Sequence, residues 1–197
     1  MEKIPIRIAP LALALLLVWN CGSPPPPPGA GESRGALPDL RGWTVMVLPV
    51  QLKTGVPQGV QADPELAHAL RTQGEGVTWV FPPEIEEVLG RSPAVPTQIR
   101  ALPVHVFLQT EVNRIGDPLF GHLLRLGGLT GADVALIPVE LKYGEGGAYS
   151  ISVALVGTST GRVSWFGVIE GGTGDAQDPA TLASVAEVLA RTLLPFG

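Results

Sequence analysis

The chain has 197 residues and a formal net charge of −5, with 13 basic against 18 acidic side chains. That balance argues against binding a nucleic-acid backbone or clamping a membrane through a polybasic patch, both of which need clustered lysine and arginine. With one cysteine, Cys21, the chain cannot form an internal disulfide.

The N-terminus is organised as a leader. Met1–Arg7 carries Lys3 and Arg7, Ile8–Trp19 (IAPLALALLLVW) is almost wholly apolar, and Asn20, Cys21, Gly22 and Ser23 precede five prolines, Pro24–Pro28. A basic head, an apolar run of about a dozen residues and a small-residue exit predict a secretory signal peptide over residues 1–20. The run is shorter than the roughly 20 apolar residues of a membrane span. A cysteine at the cut resembles the bacterial lipoprotein signal. That resemblance implies a lipidated Cys21 and a location on the bacterial envelope, with the outer membrane facing the periplasm as the expected site. A free thiol would otherwise be left exposed in an exported chain. Val18 fits the usual pattern, whereas Trp19 and Asn20 are bulkier or more polar than it calls for. An ordinary cleaved signal, an uncleaved N-terminal anchor and a chance cysteine therefore stand as alternatives. Removing residues 1–20 takes away Lys3, Arg7 and Glu2 and leaves the remainder more acidic.

Residues 22–40 (GSPPPPPGAGESRGALPDL) are rich in Pro, Gly and Ser and poor in apolar groups. Such a segment cannot bury enough surface to order itself, so 21–40 reads as an anchor and tether and 41–197 as one globular domain. Fully extended, the tether would span at most about 60–70 Å.

Within the domain, Trp43–Val50 (WTVMVLPV) predicts the opening strand. Helices are predicted at 64–72 and 83–90, with a short strand, Val77–Phe81, between them. Pro93, Pro96 and Pro103 break the next stretch, in which Val104–Leu108 (VHVFL) reads as an edge strand or surface loop. A helix at 118–127 follows, then strands at 133–142, 149–156 and 162–170, and a closing helix at 179–193. Asp63-Pro64, Asp117-Pro118 and Asp178-Pro179 each precede a helical pattern. Aspartate is a favoured N-cap, and proline suits the first helical position. Leu182, Val185, Ala186, Leu189, Ala190 and Leu193 share one face of the last helix. The short Gly-rich links Tyr143–Ala148 and Gly157–Gly161 predict an antiparallel meander. The fold class is α/β: a two- or three-layer sandwich with a mixed sheet of about five strands, a C-terminal meander and a closing helix.

This layout is an opening strand ending Val47-Leu48-Pro49-Val50, a helix, then Gly131-Ala132-Asp133-Val134-Ala135-Leu136-Ile137. A strand with Leu155-Val156, a turn with Thr160-Gly161-Arg162-Val163, Trp165 and an alanine-rich helix complete it. Over about residues 43–194 it resembles the small α/β domain of the N-terminal part of TolB and of the curli-secretion lipoprotein family. It is similar also to lipoprotein activators of peptidoglycan synthases. The chain departs from the curli channel in lacking room for barrel-forming insertions. The resemblance implies a membrane-anchored, non-catalytic module that binds or assembles other envelope proteins.

Gly157-Thr158-Ser159-Thr160-Gly161 matches the G-x-S-x-G nucleophile pattern, which makes a small serine hydrolase using Ser159 the alternative function. That chemistry needs a strand-to-helix turn, and here two strands flank the motif. A ring-forming subunit of an export apparatus is a third reading. His68, His105 and His122 lack metal-ligand spacing, so no metal, no cofactor and no small-molecule ligand are expected. Glu84, Glu86 and Glu87 read as a solvated helix face. Trp165 and Phe166, adjacent in a strand, should face opposite sides of the sheet. The expected partner-binding residues are His105 and Phe107, because an aromatic in the irregular segment lacks an evident core role.

Overall fold

The computed structural model describes residues 31–53, 55–109 and 111–195. Cys21, the leader and the prolines lie outside these residues. Among these residues six strands form one sheet: β1 (Ser33–Gly35), β2 (Thr44–Val47), β3 (Thr78–Val80), β4 (Val134–Tyr143), β5 (Ala148–Gly157) and β6 (Val163–Thr173). Their order is β1-β6-β5-β4-β2-β3. The pairs β4–β5 and β5–β6 are antiparallel, forming the predicted meander, while β2 runs parallel to both β3 and β4. Among the described residues five α-helices cover it: α1 (Ala62–Gln73), α2 (Pro82–Gly90), α3 (Val106–Gln109), α4 (Leu119–Thr130) and α5 (Pro179–Leu193).

The period-2 alternation of the strands builds two cores. On one face Val45, Val47, Leu136, Val153, Leu155 and Trp165 pack with α1 and α5. On the other, Met46, Leu48, Ala135, Ile137, Ala154 and Phe166 pack with α2, α3 and α4. The result is a three-layer α/β/α sandwich. Trp165 and Phe166 are both buried, on opposite faces as their adjacency required. Pro138, which has no N–H for the ladder, sits where the β4–β5 register shifts.

Several expectations are corrected. The predicted tether ends early, because Ser33–Gly35 pairs antiparallel with β6 and Leu40 is buried. Gly31 already donates its N–H to the Val168 carbonyl at 2.6 Å. Backbone pairing to an open sheet edge needs no apolar side chain, so composition did not register it. Val104–Leu108 is neither strand nor exposed loop. It enters the four-residue helix α3, and Phe107 is 1% exposed, its ring stacked on Phe166 at 6.2 Å. Of the three aspartates, only Asp178 is an N-cap, accepting from the Ala180 N–H at 2.9 Å. Asp63 lies inside α1, where it accepts from the Val50 N–H at 2.7 Å and pairs with Arg100 at 3.0 Å. Asp117 stands one residue before the α4 N-cap and accepts from the Gly121 N–H at 3.1 Å.

Candidate interaction surface

The amino ends of the parallel strands β2 and β4 meet the β5–β6 turn and the last turns of α4. Asp133 joins them: its N–H donates to the Thr44 carbonyl at 2.8 Å, and its carboxylate accepts from the Thr44 N–H at 3.0 Å. Thr158 ties in the β5–β6 turn, donating its hydroxyl to the Ala132 carbonyl at 2.7 Å and its N–H to the Asp133 carbonyl at 3.0 Å. Gly127 lets α4 come this close, since a Cβ there would lie 2.7 Å from the Thr158 Cβ. Gly161 turns the chain with φ +66°, and a Cβ there would lie 2.8 Å from the Phe120 ring.

These contacts leave a broad groove of about 840 Å³ with a floor of glycine and small residues. Trp43 and Leu124 stand on its walls, 40% and 48% exposed. They are two of the three large hydrophobic side chains that are exposed among the described residues. The Trp43 backbone is fixed from both sides, its N–H donating to the Leu40 carbonyl and its carbonyl accepting from the Thr78 N–H. Ser159 and Thr160 form the polar rim. An apolar, rigidly mounted aromatic within a polar rim is the composition of a protein-binding hot spot. The groove also lies at the end of β2 and β4 opposite their carboxyl ends, where small-molecule sites of α/β sheets are usually found.

A narrower cleft of about 480 Å³ lies between the β1–β2 connection and the end of α5. Two of its charged groups, Asp39 and Arg41, satisfy each other. Arg41 donates to both Asp39 oxygens, which holds the Asp39 carboxyl down to about 2. Its far wall, Leu193–Pro195, leads into Phe196 and Gly197, outside the described residues. The open groove is the better candidate, because it is the one that keeps large apolar side chains in water.

The structure distributes the sequence-selected residues widely. Ser159 is exposed on the groove rim, on a turn between two strands, and this is not the strand-to-helix elbow that activates a serine. His105 is exposed, while Phe107, two residues on, is core. His68 is exposed on α1, and His122 Nδ1 lies 3.2 Å from the Thr97 hydroxyl on the far side of α4. Glu84, Glu86 and Glu87 are each in exposed ion pairs, with Arg71, Arg100 and Arg91. Glu84 also accepts from the Phe81 N–H at the α2 N-terminus. Cys21 is outside the described residues.

Sequence reasoning missed Trp43 and Leu124. Leu124 had a signal: Leu119, Leu123 and Leu126 form the apolar stripe of α4, and Leu124 falls about 100° off it.

No family model matches the sequence, and no curated protein matches it. Several solved structures are similar to it in part. The LpoB C-terminal domain from Salmonella enterica is 17% identical with a TM-score of 0.45, over 67% of this chain and 84% of that one. Lipoprotein GNA1162 from Neisseria meningitidis is 16% identical with a TM-score of 0.43, over 68% and 83%. The PelC dodecamer from Paraburkholderia phytofirmans is 15% identical with a TM-score of 0.39, over 81% and 95%.

Proposed function

We propose that this chain is an exported module, held on the bacterial envelope by lipid at Cys21, that binds other envelope proteins and carries out no chemistry of its own. The observation that carries the binding function is the groove: a fixed tryptophan and a leucine kept in water above a glycine floor. Burying either side chain against a partner is worth about 1.5–3 kcal/mol. The leader and its terminal cysteine support export and anchoring. Because Gly31 is already bonded to β6, the tether to the anchor would be residues 22–30. They reach at most about 30 Å, so the domain would work close to its own membrane.

Two measurements test this. Cys21→Ser should move the protein from the membrane pellet to the soluble fraction, because several acyl chains at about 0.8 kcal/mol per buried CH₂ would be lost. Retention in the pellet after a high-salt wash would refute the lipid anchor. Trp43→Ala should abolish cross-linking to envelope proteins in intact cells without unfolding the domain. Unchanged adducts would remove the groove from the function.

A further inference from the structure

We infer that the partner of the groove is an acidic protein segment. Its carboxylates would be held by Arg114 and Arg162, while an apolar side chain of the same segment lies between Trp43 and Leu124. The inference rests on the binding role proposed above and names the chemistry of the partner.

The first observation is a pattern of pairing. Among the described residues, Arg34, Arg41, Arg71, Arg91, Arg100 and Arg191 each stand within 4.0 Å of a carboxylate. Arg114, Arg125 and Arg162 form no such pair. In a chain of net charge −5, the arginines left without a carboxylate gather on α4 and beside the β5–β6 turn.

The second observation is independent of the first. Arg114 and Arg162 are directly opposite each other in an antiparallel bridge. The flanking bonds, Ile115 N–H to the Gly161 carbonyl and Val163 N–H to the Asn113 carbonyl, are both 2.8–2.9 Å. That arrangement makes Arg114 and Arg162 a non-hydrogen-bonded pair, the position at which two side chains come closest, with Cα atoms about 4.5 Å apart. Like charges in this position oppose folding. Both side chains are exposed. Arg114 Nε donates to the Thr160 carbonyl at 3.0 Å, and the Arg162 N–H donates to the Thr160 hydroxyl at 3.2 Å. Thr160 lines the groove, so both arginines are tied to one of its lining residues.

A local repulsion beside an apolar groove is relieved when a carboxylate bridges the two guanidinium groups, each a planar fork suited to bidentate carboxylate binding. The groove is open and lined largely by glycine and other small residues, which lets the backbone of a partner segment come close. A membrane surface fits less well. The chain leaves β1 at Gly31 toward the Val168–Thr173 part of β6, away from the β5–β6 turn. A short tether at Cys21 would thus hold the opposite end of the sheet nearest the bilayer.

The test places a photo-cross-linking amino acid at Leu124 of the full chain in its own cells, and a second at Leu52, which is equally exposed at 48%. Arg162→Glu and Arg162→Lys are then compared with the parent. The expected adducts map to peptides rich in aspartate and glutamate. Arg162→Glu lowers their yield about tenfold, the worth of one charge-assisted hydrogen bond, and Arg162→Lys, which keeps the charge but loses the fork, lowers it less. The purified Arg162→Glu protein should melt about 1–4 °C higher, because a like-charge pair becomes an opposite-charge one. A stability gain with a binding loss is the opposite of what a purely structural arginine gives. An adduct yield unmoved by Arg162→Glu overturns the inference, as do adduct peptides without carboxylates or an adduct of twice the chain's mass. Charge-dependent sedimentation with phosphatidylglycerol vesicles and no protein adduct at Leu124 assigns the face to lipid and also overturns it. Adducts at Leu52 but not at Leu124 defeat this inference and leave the binding role standing; adducts at neither position defeat both.

Discussion

Phe107→Ala is the sharpest test of the helical layer over β4, β5 and β6. The ring is 1% exposed and stacks on Phe166. A buried aromatic removes roughly 150–250 Å² from water. At about 25 cal/mol per Å² that is worth about 4–6 kcal/mol, and measured Phe→Ala costs in cores run at about 3–5 kcal/mol. The lower half of that range is expected, because α3 has four residues and can partly collapse into the space. A loss of about 3–4 kcal/mol takes a large share of the 5–15 kcal/mol typical of a domain and lowers the melting midpoint by roughly 6–16 °C. Urea unfolding followed by tryptophan fluorescence measures it, with Trp165 as a buried reporter. The slope should stay constant while the midpoint falls. His105→Ala, at an exposed position two residues away, should change stability by no more than about 0.5 kcal/mol. A Phe107→Ala loss below about 1 kcal/mol would mean that this segment is not packed as described.

Three further predictions concern other parts of the fold. Asp178→Ala should cost about 0.5–2 kcal/mol by removing the cap on α5; an unchanged denaturation midpoint would show that water replaces it. Gly127→Ala should cost about 1–3 kcal/mol, because its new methyl would overlap Thr158. The neighbouring Gly128→Ala, which meets nothing within 4 Å, should instead stabilise by about 0.4–1 kcal/mol; equal effects in thermal melts would refute this placement of α4. Tyr149 is buried, its hydroxyl donates to the Ala176 carbonyl at 2.6 Å, and burial, with Tyr143 and Asp175 adding to it, raises its pKa above the ordinary 10.0. A raised phenol pKa contributes stability that is complete below pH 10 and is lost as pH rises through the folded value. Tyr149→Phe should therefore cost about 0.5–1.5 kcal/mol at neutral pH and flatten the alkaline fall in stability; parallel pH profiles for parent and variant would contradict the assignment.

The strands β2, β3, β4 and β6 were legible as short runs rich in apolar, β-branched and aromatic residues, β5 by its alternation, and the helices α1, α2, α4 and α5 by the three- and four-residue spacing of their apolar side chains. The meander was legible because Gly-rich links of a few residues permit only antiparallel neighbours. Asp178 was readable as a cap because the cap bond is local, reaching only to Ala180. Tertiary structure decided the rest. Asp63 has the same Asp-Pro signature as Asp178, yet its carboxylate is taken by Val50 and Arg100, 13 and 37 residues away. Phe107 has no periodic neighbours to mark it as core; its partner, Phe166, comes from a strand read separately. Ser33–Gly35 joins the sheet through backbone bonds to β6, which leave no trace in side-chain composition. The groove follows the same rule. Trp43, Leu124, Arg114 and Arg162 are scattered in sequence, and only the packing of α4 against the β5–β6 turn brings them to one surface.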